Sequence, residues 1–243
     1  MTSDVPKMIR IEALAARHEP PAPGPLPLPA ATLIDRYERL ASAIVSDVLR
    51  EHALLDQAFP GTLAALRSAR TVAGFAFTVK SAPNTRISGE MTIRGAMLDA
   101  LPADAFVVWD TSSDTRGTMW GGVMTATVVA KGVRGAIIDG GIRDTAQIAA
   151  KDFPVWYRYR SPNGSLGRCQ ITHYQIPVKV GDVFVRPGDL VVGDADGAVC
   201  VPRELLVPVL ERAEQIAGDE ERIFAWVEEG QSIAEITGRG GYF

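Results

Sequence analysis

Residues 135–147, with the sequence GAIIDGGIRDTAQ, decide the fold class of this chain. They join a short apolar run to two adjacent glycines and then to a polar segment that is typical of a helix start. This order predicts a buried strand, a tight turn and a helix, which is the repeating unit of α/β proteins. In open α/β sheets, ligands bind in the crevice at the carboxyl ends of the strands, so the polar residues after the glycines are candidate site residues.

A second glycine-rich segment, residues 115–122 with the sequence TRGTMWGG, has the same arrangement. It follows a strand predicted at 105–110 and precedes a helix predicted at 123–131. Unpaired backbone N–H groups at such a helix start attract anions, and Gly121 and Gly122 would let a small anion approach the main chain closely. The alternative is a loop that needs glycine only for its turn. The segment matches neither the Walker A nor the G-x-G-x-x-G pattern, so the sequence does not support nucleotide binding.

Arg143 and Asp144 follow the glycines of the first segment and are the candidate catalytic pair. An arginine at a strand end can bind a carboxylate through two parallel hydrogen bonds, and an aspartate offers the hard oxygen ligand that Mg²⁺ and Mn²⁺ prefer. The structural alternative is a capping box, in which Asp144 caps the helix start and Gln147 reaches back, with Arg143 paired to a nearby acid. The spacing alone leaves both interpretations open.

The two glycine segments are expected to meet above one edge of the sheet, because each follows a buried strand. Together they would offer backbone amides, one arginine and one metal-binding carboxylate. This set suits a 2-oxo acid, since the arginine holds the carboxylate and a divalent cation polarises the keto oxygen. We therefore expect a small 2-oxo acid as substrate and Mg²⁺ or Mn²⁺ as cofactor.

The rest of the chain alternates helices and strands until its pattern changes near residue 177. We predict helices at 32–50, 88–101, 144–151 and 202–229, the second behind a cap at Ser88, and strands at 72–80, 135–139 and 154–157. Residues 177–201 are rich in turns and β-branched residues, and the Asp-Gly pair at 196–197 predicts a hairpin. The fold class is therefore α/β, with an antiparallel β section inserted late and helices at the carboxyl terminus.

The composition indicates one large globular domain with appendages. The 243 residues are 47% hydrophobic and 22% charged, and the formal net charge is −4. Such a mildly acidic chain lacks the basic surface that is typical of nucleic-acid binders, and no apolar run approaches the roughly 18 residues of a membrane span. The first residues show no signal-peptide pattern, so we expect a cytoplasmic protein that binds neither nucleic acid nor a membrane.

We divide the chain into an arm at residues 1–31, a domain at 32–230 and a tail at 231–243. The arm contains the proline-rich stretch PPAPGPLPLP at 20–29, which predicts a stiff extended strap. We expect this strap to lie across the body or a neighbouring subunit, and recruitment of a proline-binding module is the alternative.

Other residue types that could carry chemistry give weaker signals. Two cysteines without a C-x-x-C spacing and three scattered histidines indicate neither structural zinc nor thiol redox chemistry. A lysine could in principle form a Schiff base and aromatic residues could line a pocket, but surface charge and core packing explain these residues as well. The lysines are Lys80, Lys131, Lys151 and Lys179, and the aromatic residues are Trp109, Trp120, Trp156 and Tyr157.

Two segments of the sequence resemble the RraA-like family. The first comprises WGGVM at 120–124 and GVRGAIIDGGIRD at 132–144, followed by Pro154 and Val155, and the second is PGDLVVGDADG at 187–197. The family contains 4-hydroxy-4-methyl-2-oxoglutarate/4-carboxy-4-hydroxy-2-oxoadipate aldolases and the regulator of ribonuclease E activity. The resemblance covers roughly residues 42–211 and implies a swivelling β/β/α domain, a homotrimer or homohexamer, and an active site between subunits.

The aldolase pattern of that family is Asp or Gly, twenty residues, Arg-Asp, two residues, then Glu or Asp. It falls on Gly122, Arg143, Asp144 and Gln147 of this sequence. The resemblance implies that Arg143 binds pyruvate, that Asp144 ligates Mg²⁺, and that the residue at position 147 contacts the metal through a water. This sequence departs from the pattern at Gln147, because a neutral amide can hydrogen-bond a water but contributes no charge.

The resemblance also implies that main-chain groups hold the pyruvate unit, from Gly121 and Gly122 to the amides of Val123 and Met124. The sequence thus favours a metal-dependent lyase that cleaves a 4-hydroxy-2-oxo acid to pyruvate and an oxo compound, with decarboxylation of oxaloacetate as a side or main activity. A protein-binding regulator resembling the ribonuclease E inhibitor, with a vestigial metal site, is the alternative. A related lyase acting on a sugar acid is a third hypothesis.

Overall fold

A long mixed sheet lies at the centre of the structure, a computed structural model that describes residues 24–66 and 70–239. The strands are β1 (Ala64–Ala65), β2 (Val72–Pro83), β3 (Ala105–Asp110), β4 (Thr118–Trp120), β5 (Gly135–Ile142), β6 (Val155–Arg160), β7 (Cys169–Tyr174), β8 (Val178–Val180), β9 (Val183–Val185), β10 (Leu190–Gly193) and β11 (Ala198–Val201). The helices are α1 (Ala30–Tyr37), α2 (Ser42–Glu51), α3 (Glu90–Ala100), α4 (Gly122–Ala130), α5 (Thr145–Ala150), α6 (Leu206–Glu228) and α7 (Ile233–Gly238).

The sheet has the strand order β1-β6-β5-β3-β2-β10-β11. Strands β2, β3, β5 and β6 are parallel neighbours, so their carboxyl ends lie at the same edge. The antiparallel hairpin β10–β11 continues the sheet beside β2, β4 pairs with β5, and β7 pairs with β2. The predicted α/β class with a late antiparallel section is confirmed.

Both faces of the parallel strands are covered, which explains why these strands are apolar throughout instead of alternating. Trp109 of β3 packs on the face that carries helices α3 and α4, whereas Val108 points to the other face, against the hairpin β8–β9. A separate apolar cluster joins α1, α2 and α6 to β10 and β11. Helices α4 and α5 pack in the same apolar cluster as Trp109, through Met124, Val128 and Ile148.

The single helix predicted at 32–50 is wrong, because the segment forms two helices, α1 and α2. Ala41, just before α2, is extended, with φ −68° and ψ 143°. Asp194, far away in the sequence, accepts hydrogen bonds from the backbone N–H of Ser42 at 2.7 Å and from its hydroxyl at 2.8 Å. This distant carboxylate satisfies the first donors of α2 and starts a new helix there.

The predicted cap at Ser88 is also wrong. Helix α3 begins at Glu90 after Gly89, which has φ +86°, and no side chain caps it. The Ser88 hydroxyl instead accepts a hydrogen bond from Nε of Arg86 at 3.0 Å. Gly89 takes a left-handed conformation that glycine adopts without strain, so the chain enters the helix by a turn and not by a serine cap.

The other predicted helices and strands are present, most of them with shifted ends. Strand β5 continues to Ile142 and β6 continues to Arg160, beyond the ends predicted at 139 and 157. The Asp-Gly hairpin is present, since Leu190 to Gly193 pair with Ala198 to Val201. Strand β7 was not predicted, because its sequence CQITHY mixes polar and apolar residues without a clear period.

Residues 1–23 of the predicted arm lie outside the described residues. Within residues 24–29, Leu26 and Leu28 pack against the apolar cluster of α1, α2 and α6. The Arg203 guanidinium donates a hydrogen bond to the carbonyl of Gly24 at 2.6 Å. No helix among residues 24–66 and 70–239 is long and apolar enough to cross a membrane.

Candidate functional site

Arg143 and Asp144 stand at the carboxyl end of β5, where the sequence predicted them. Strand β4 pairs with the end of β5, and the Arg143 N–H donates to the carbonyl of Trp120 at 3.0 Å. Trp120 is itself fixed in the core, because its ring stacks on Phe153 at a centroid distance of 5.8 Å. Both glycine segments are therefore joined by backbone hydrogen bonds at one edge of the sheet.

The Asp144 carboxylate is not used to cap helix α5, so the capping-box interpretation is wrong. Asp144 does occupy the position before the helix, with φ +55°, but its side chain accepts no bond from the first turn. One of its oxygens, Oδ2, instead accepts a hydrogen bond from the backbone N–H of Gly122 at 3.1 Å. The carboxylate thus faces the start of helix α4 and not its own helix.

The Arg143 side chain lies beside this carboxylate and remains half exposed. Its Nε is 3.7 Å from Oδ2 of Asp144, and the two side chains are 49% and 40% exposed. Among the described residues, no group forms a hydrogen bond with the Arg143 guanidinium. Its donors are therefore available to an anion from solution.

Gly121 makes this convergence possible because a side chain there would collide with both residues. A Cβ on Gly121 would lie 2.8 Å from Oδ2 of Asp144 and 3.2 Å from Cγ of Arg143. Gly121 has φ −163°, an extended conformation open to any residue, so space and not backbone conformation requires glycine. The glycine signal in the sequence thus identifies a close approach of side chains to the main chain.

Helix α4 presents its amino terminus to the same place. Its first residue is Gly122, and the Thr125 N–H is the first to bond back, to the carbonyl of Gly121 at 3.0 Å. The N–H groups of Val123 and Met124 have no acceptor among the described residues, as is usual in a first helical turn. The Val123 side chain is 81% exposed, whereas that of Met124 is buried.

Gln147 lies directly over Gly122. A Cβ on Gly122 would be 2.0 Å from Oε1 of Gln147 and 2.9 Å from its Cδ. The first and last positions of the predicted pattern, which are 25 residues apart, are therefore in contact across the start of α4. No described residue forms a hydrogen bond with the side-chain amide of Gln147.

A surface cleft of about 380 Å³ includes Arg143 and Asp144. Its other lining residues are Ile142, Thr145, Arg160, Ser161 and Pro162. Arg160 was missed by the sequence reasoning, which ended the strand at 157. The basic residues of VWYRYR at the carboxyl end of β6 were the available signal, because that end lies beside the end of β5.

A protein-family model matches most of this chain. The model for RraA-like proteins, described as Aldolase/RraA, matches residues 42–200. The chain belongs to this family. The matched range contains both glycine segments, the candidate pair and Gln147, so the resemblance seen in the sequence and the α/β fold are both confirmed.

Several relatives show how far this RraA-like chain resembles known proteins. A crystal structure described as one of novel cellulases from microbes of the gut ecosystem is 53% identical, with a TM-score of 0.86, over 88% of this chain and 97% of that one. The Streptomyces coelicolor member of the RNase ES inhibitor RraA family is 26% identical, with a TM-score of 0.72, over 83% and 98%. A Halalkalibacterium halodurans protein provisionally named a 4-hydroxy-4-methyl-2-oxoglutarate aldolase is 29% identical over 77% of this chain and 85% of its own.

Tyr159 contacts the backbone of both glycine segments in this RraA-like chain. Its ring fills the space over Gly141, where a Cβ would lie 2.4 Å from Cε2, and its hydroxyl donates to the carbonyl of Gly117 at 2.7 Å. Burial raises the pKa of Tyr159 to about 12, so the hydroxyl stays protonated and keeps donating. Tyr159 thus connects the two glycine segments.

A second surface cleft has a volume of about 470 Å³. It is lined by Pro83, Asn84, Thr85, Arg116, Gly167 and Arg168. The Arg168 guanidinium donates to the carbonyl of Gly164 at 3.0 Å, and a Cβ on Gly164 would lie 3.1 Å from Nη1 of Arg143. Both guanidinium groups therefore approach Gly164, and the sequence reasoning had not singled out Arg116 or Arg168.

Two of the candidate lysines and all four candidate aromatic residues have structural contacts. Lys80 forms an ion pair with Asp110 at 2.6 Å, and Lys131 donates to two backbone carbonyls of α3. The four candidate aromatic residues, Trp109, Trp120, Trp156 and Tyr157, are all buried in the apolar clusters. Among the described residues, no group of three or more Asp, Glu, His and Cys side chains could hold a metal ion by itself.

Proposed function

We propose that this chain is a divalent-metal-dependent lyase that releases pyruvate from 2-oxo acids, by retro-aldol cleavage of a 4-hydroxy-2-oxo acid or by decarboxylation of oxaloacetate. The observation that carries the proposal is that Arg143 and Asp144 line an exposed cleft, while Asp144 also accepts a hydrogen bond from Gly122 at the start of α4. The name of the Halalkalibacterium halodurans relative supports the same reaction class.

Arg143 binds the carboxylate of the 2-oxo acid through two parallel hydrogen bonds, which its free donors and half-exposed position allow. The N–H groups of Val123 and Met124 donate to the oxygen on which negative charge develops, and the dipole of α4 adds to their effect. These donors are fixed by the fold, so they need little reorganisation when the bond breaks.

Asp144 is the residue that fits a divalent cation. Its Oδ1 has no donor among the described residues, and Mg²⁺ commonly uses one or two protein carboxylates together with substrate oxygens and waters. When bound, Mg²⁺ or Mn²⁺ supplies Lewis-acid polarisation of the keto oxygen. One protein carboxylate thus suffices if the substrate contributes its own oxygens.

The same carbon–carbon bond breaks in both proposed substrates. The C3–C4 bond breaks, and its electron pair forms the enolate of pyruvate, which takes a proton at C3 from water. Oxaloacetate releases C4 as CO₂, whereas a 4-hydroxy-2-oxo acid loses its hydroxyl proton to a base and releases C4 as an oxo compound. Only the second reaction needs a base.

The second cleft gives a reason to expect an acidic group at the far end of the substrate. We propose that a 2-oxo acid held by Arg143 extends past Gly164 towards Arg168, because the guanidinium groups of both arginines approach Gly164. Arg116 adds a second positive charge to the same cleft. These arginines favour a dicarboxylate over a monocarboxylate substrate.

Cellulase activity, which the description of the 53% identical structure names for that protein, fits the cleft less well. Glycoside hydrolases generally need two carboxylates placed on opposite sides of the bond. Asp144 is the single carboxylate among the lining residues of its cleft, and the second cleft has none.

The direct test is to incubate the protein with oxaloacetate or 4-hydroxy-4-methyl-2-oxoglutarate, with and without Mg²⁺, and to measure pyruvate. We expect metal-dependent release above the protein-free background, and little release by Arg143→Ala or Asp144→Ala. Absence of metal-dependent release from these and related oxo acids would contradict the proposal. Light scattering on the same sample tests the proposed homotrimer or homohexamer.

A second candidate function is regulation of an RNA-processing enzyme, which the likeness to the Streptomyces coelicolor structure favours. The half-exposed site would then be vestigial, and the chain would act by binding a protein. Stoichiometric capture of an RNA-processing enzyme by a protein that binds no Mn²⁺ would support this candidate. Failure to capture such an enzyme, together with metal-dependent lyase activity, would exclude this second candidate function.

A further inference from the structure

Gln147 is the residue of helix α5 that lies over the start of helix α4. Its side chain covers Gly122, whose N–H is already bonded to Asp144. The amide carries no charge and cannot accept a proton at neutral pH. Its side chain is also without a hydrogen-bond partner among the described residues, and it packs against Gly122.

The other carboxylate within residues 135–147, Asp139, is buried and accepts a hydrogen bond from Nε of Arg158. Two carboxylates outside the glycine segments are also used in hydrogen bonds elsewhere. Asp114 is buried and accepts from the backbone N–H of Gly117 at 2.9 Å. Glu90 is buried and bonds both the Arg94 guanidinium and the N–H of Ile171. Asp144 is therefore the single acid that the described residues offer to the cleft, and under the proposed function it holds the cation.

We infer that Gln147 is a specificity-determining residue that commits this chain to decarboxylation of 3-carboxylated 2-oxo acids over retro-aldol cleavage. The inference rests on the proposed function. Decarboxylation sends the C3–C4 electron pair into the enolate, releases CO₂ and needs no base. Retro-aldol cleavage must in addition transfer the hydroxyl proton to an acceptor, and general bases typically contribute about 10²- to 10⁴-fold to such steps.

The contact with Gly122 makes the inference testable with little structural change. Glutamate has nearly the same shape as glutamine, so Gln147→Glu fits over Gly122 and adds only a proton acceptor and a charge. A side chain at position 122 would instead displace residue 147, because its Cβ would be 2.0 Å from Oε1. Gly122 is thus what allows residue 147 to lie at the start of α4.

The experiment compares the wild-type protein with Gln147→Glu and with the neutral, similarly long Gln147→Met. For each, pyruvate release from oxaloacetate and from 4-hydroxy-4-methyl-2-oxoglutarate is measured, and Mn²⁺ affinity is measured by electron paramagnetic resonance without substrate. We expect the retro-aldol to decarboxylation ratio to rise about tenfold or more in Gln147→Glu. The Mn²⁺ affinity of Gln147→Glu should rise several-fold, whereas Gln147→Met should raise neither the reaction ratio nor the Mn²⁺ affinity.

The outcomes separate the inference from the proposed function. Wild-type decarboxylation with an unchanged ratio in Gln147→Glu would overturn the inference and leave the proposed function standing. A wild-type rate that is already higher for retro-aldol cleavage than for decarboxylation would also overturn it. Absence of metal-dependent activity on both substrates in all three proteins would remove the proposed function and the inference with it.

Discussion

The backbone N–H of Gly122 donates to Oδ2 of Asp144 at 3.1 Å, which connects the start of helix α4 to the end of strand β5. This bond fixes the carboxylate in front of the helix without consuming its second oxygen. The carboxylate that we propose to hold a cation is therefore joined by a hydrogen bond to the helix start whose amides we propose to bind the substrate.

Asp144→Asn should abolish cation binding while leaving the fold intact. The asparagine oxygen can still accept from Gly122, but the negative charge that attracts Mg²⁺ is gone. We expect Mn²⁺ affinity and oxaloacetate decarboxylation to fall at least tenfold and the melting temperature to change little, because the side chain is 40% exposed. Asp182→Asn, at a carboxylate that is 85% exposed, is the matched control and should change neither property.

Arg143→Lys should raise the KM for oxo acids more than it lowers kcat. Lysine keeps the charge but cannot form two parallel hydrogen bonds with a carboxylate. We expect KM to rise about tenfold or more, measured by steady-state kinetics with oxaloacetate. Arg222→Lys, on the exposed side of α6, is the control. An unchanged KM would show that the guanidinium does not hold the substrate.

Gly121→Ala should damage the site without unfolding the protein. The new methyl would stand 2.8 Å from Oδ2 of Asp144 and 3.2 Å from Cγ of Arg143, and the extended backbone accepts alanine. We expect kcat/KM to fall by about 10- to 100-fold, since small misplacements of catalytic groups have effects of this size. In contrast, Gly218→Ala in helix α6 meets open space and should stabilise the protein by about 0.5–1 kcal/mol with unchanged activity.

Arg168→Ala should weaken dicarboxylates selectively if the second cleft binds the far end of the substrate. Competitive inhibition by 2-oxoglutarate and by pyruvate gives the comparison, because the two differ in the distal carboxylate. We expect the inhibition constant of 2-oxoglutarate to rise about tenfold, as for the loss of one charged hydrogen bond, and that of pyruvate to stay the same. Equal weakening of both inhibitors would mean that Arg168 only positions the loop.

Glu90→Gln should lower the free energy of unfolding strongly, because Glu90 and Arg94 form an ion pair in the interior. The Arg94 guanidinium also donates to the carbonyl of Met119 at 3.1 Å and to the Ser165 hydroxyl at 3.0 Å, so it connects α3 to the glycine segment at 115–122 and to the loop that contains Ser165. Removing one charge of a buried pair leaves the other uncompensated, at about 3–5 kcal/mol. Urea denaturation measures the change, and Glu228→Gln on the exposed end of α6 should have almost none.

The sequence predicted the parts of the site that depend on local signals. Two apolar runs, each followed by glycines and a helix start, were enough to predict that the segments around Gly121 and Arg143 meet at one edge of the sheet. Parallel strands bring their carboxyl ends together whatever the rest of the fold, so this inference needed no distant contact. The same local reasoning predicted strand β3 to the residue.

Long-range contacts explain what the sequence did not predict. Helix α2 begins at Ser42 because of the carboxylate of Asp194, 152 residues later, which no local pattern reveals. Whether Asp144 caps its own helix depended on whether Gly122, 22 residues earlier, would donate to its carboxylate instead. Arg168 belongs to a loop without a periodic pattern, so its position beside Gly164 follows only from the packed structure.

Asp189 should make the stability of the protein fall as the pH rises from about 4 to 6. Burial raises the pKa of this carboxyl from its ordinary value of 3.8 to about 6, although the N–H groups of Arg186 and Arg203 partly offset the effect. The folded state therefore binds a proton that the unfolded state has lost, and the stability present below pH 3.8 is lost as the pH passes 6.

A tenfold difference in proton affinity corresponds to about 1.4 kcal/mol, so this loss is at most about 3 kcal/mol. Asp189→Asn cannot titrate, and it should remove this part of the pH dependence even though it loses one backbone hydrogen bond of about 1 kcal/mol. Urea denaturation of both proteins at several pH values between 4 and 7 gives the difference curve. A difference that stays constant with pH would show that Asp189 is ionised throughout this range in the folded protein.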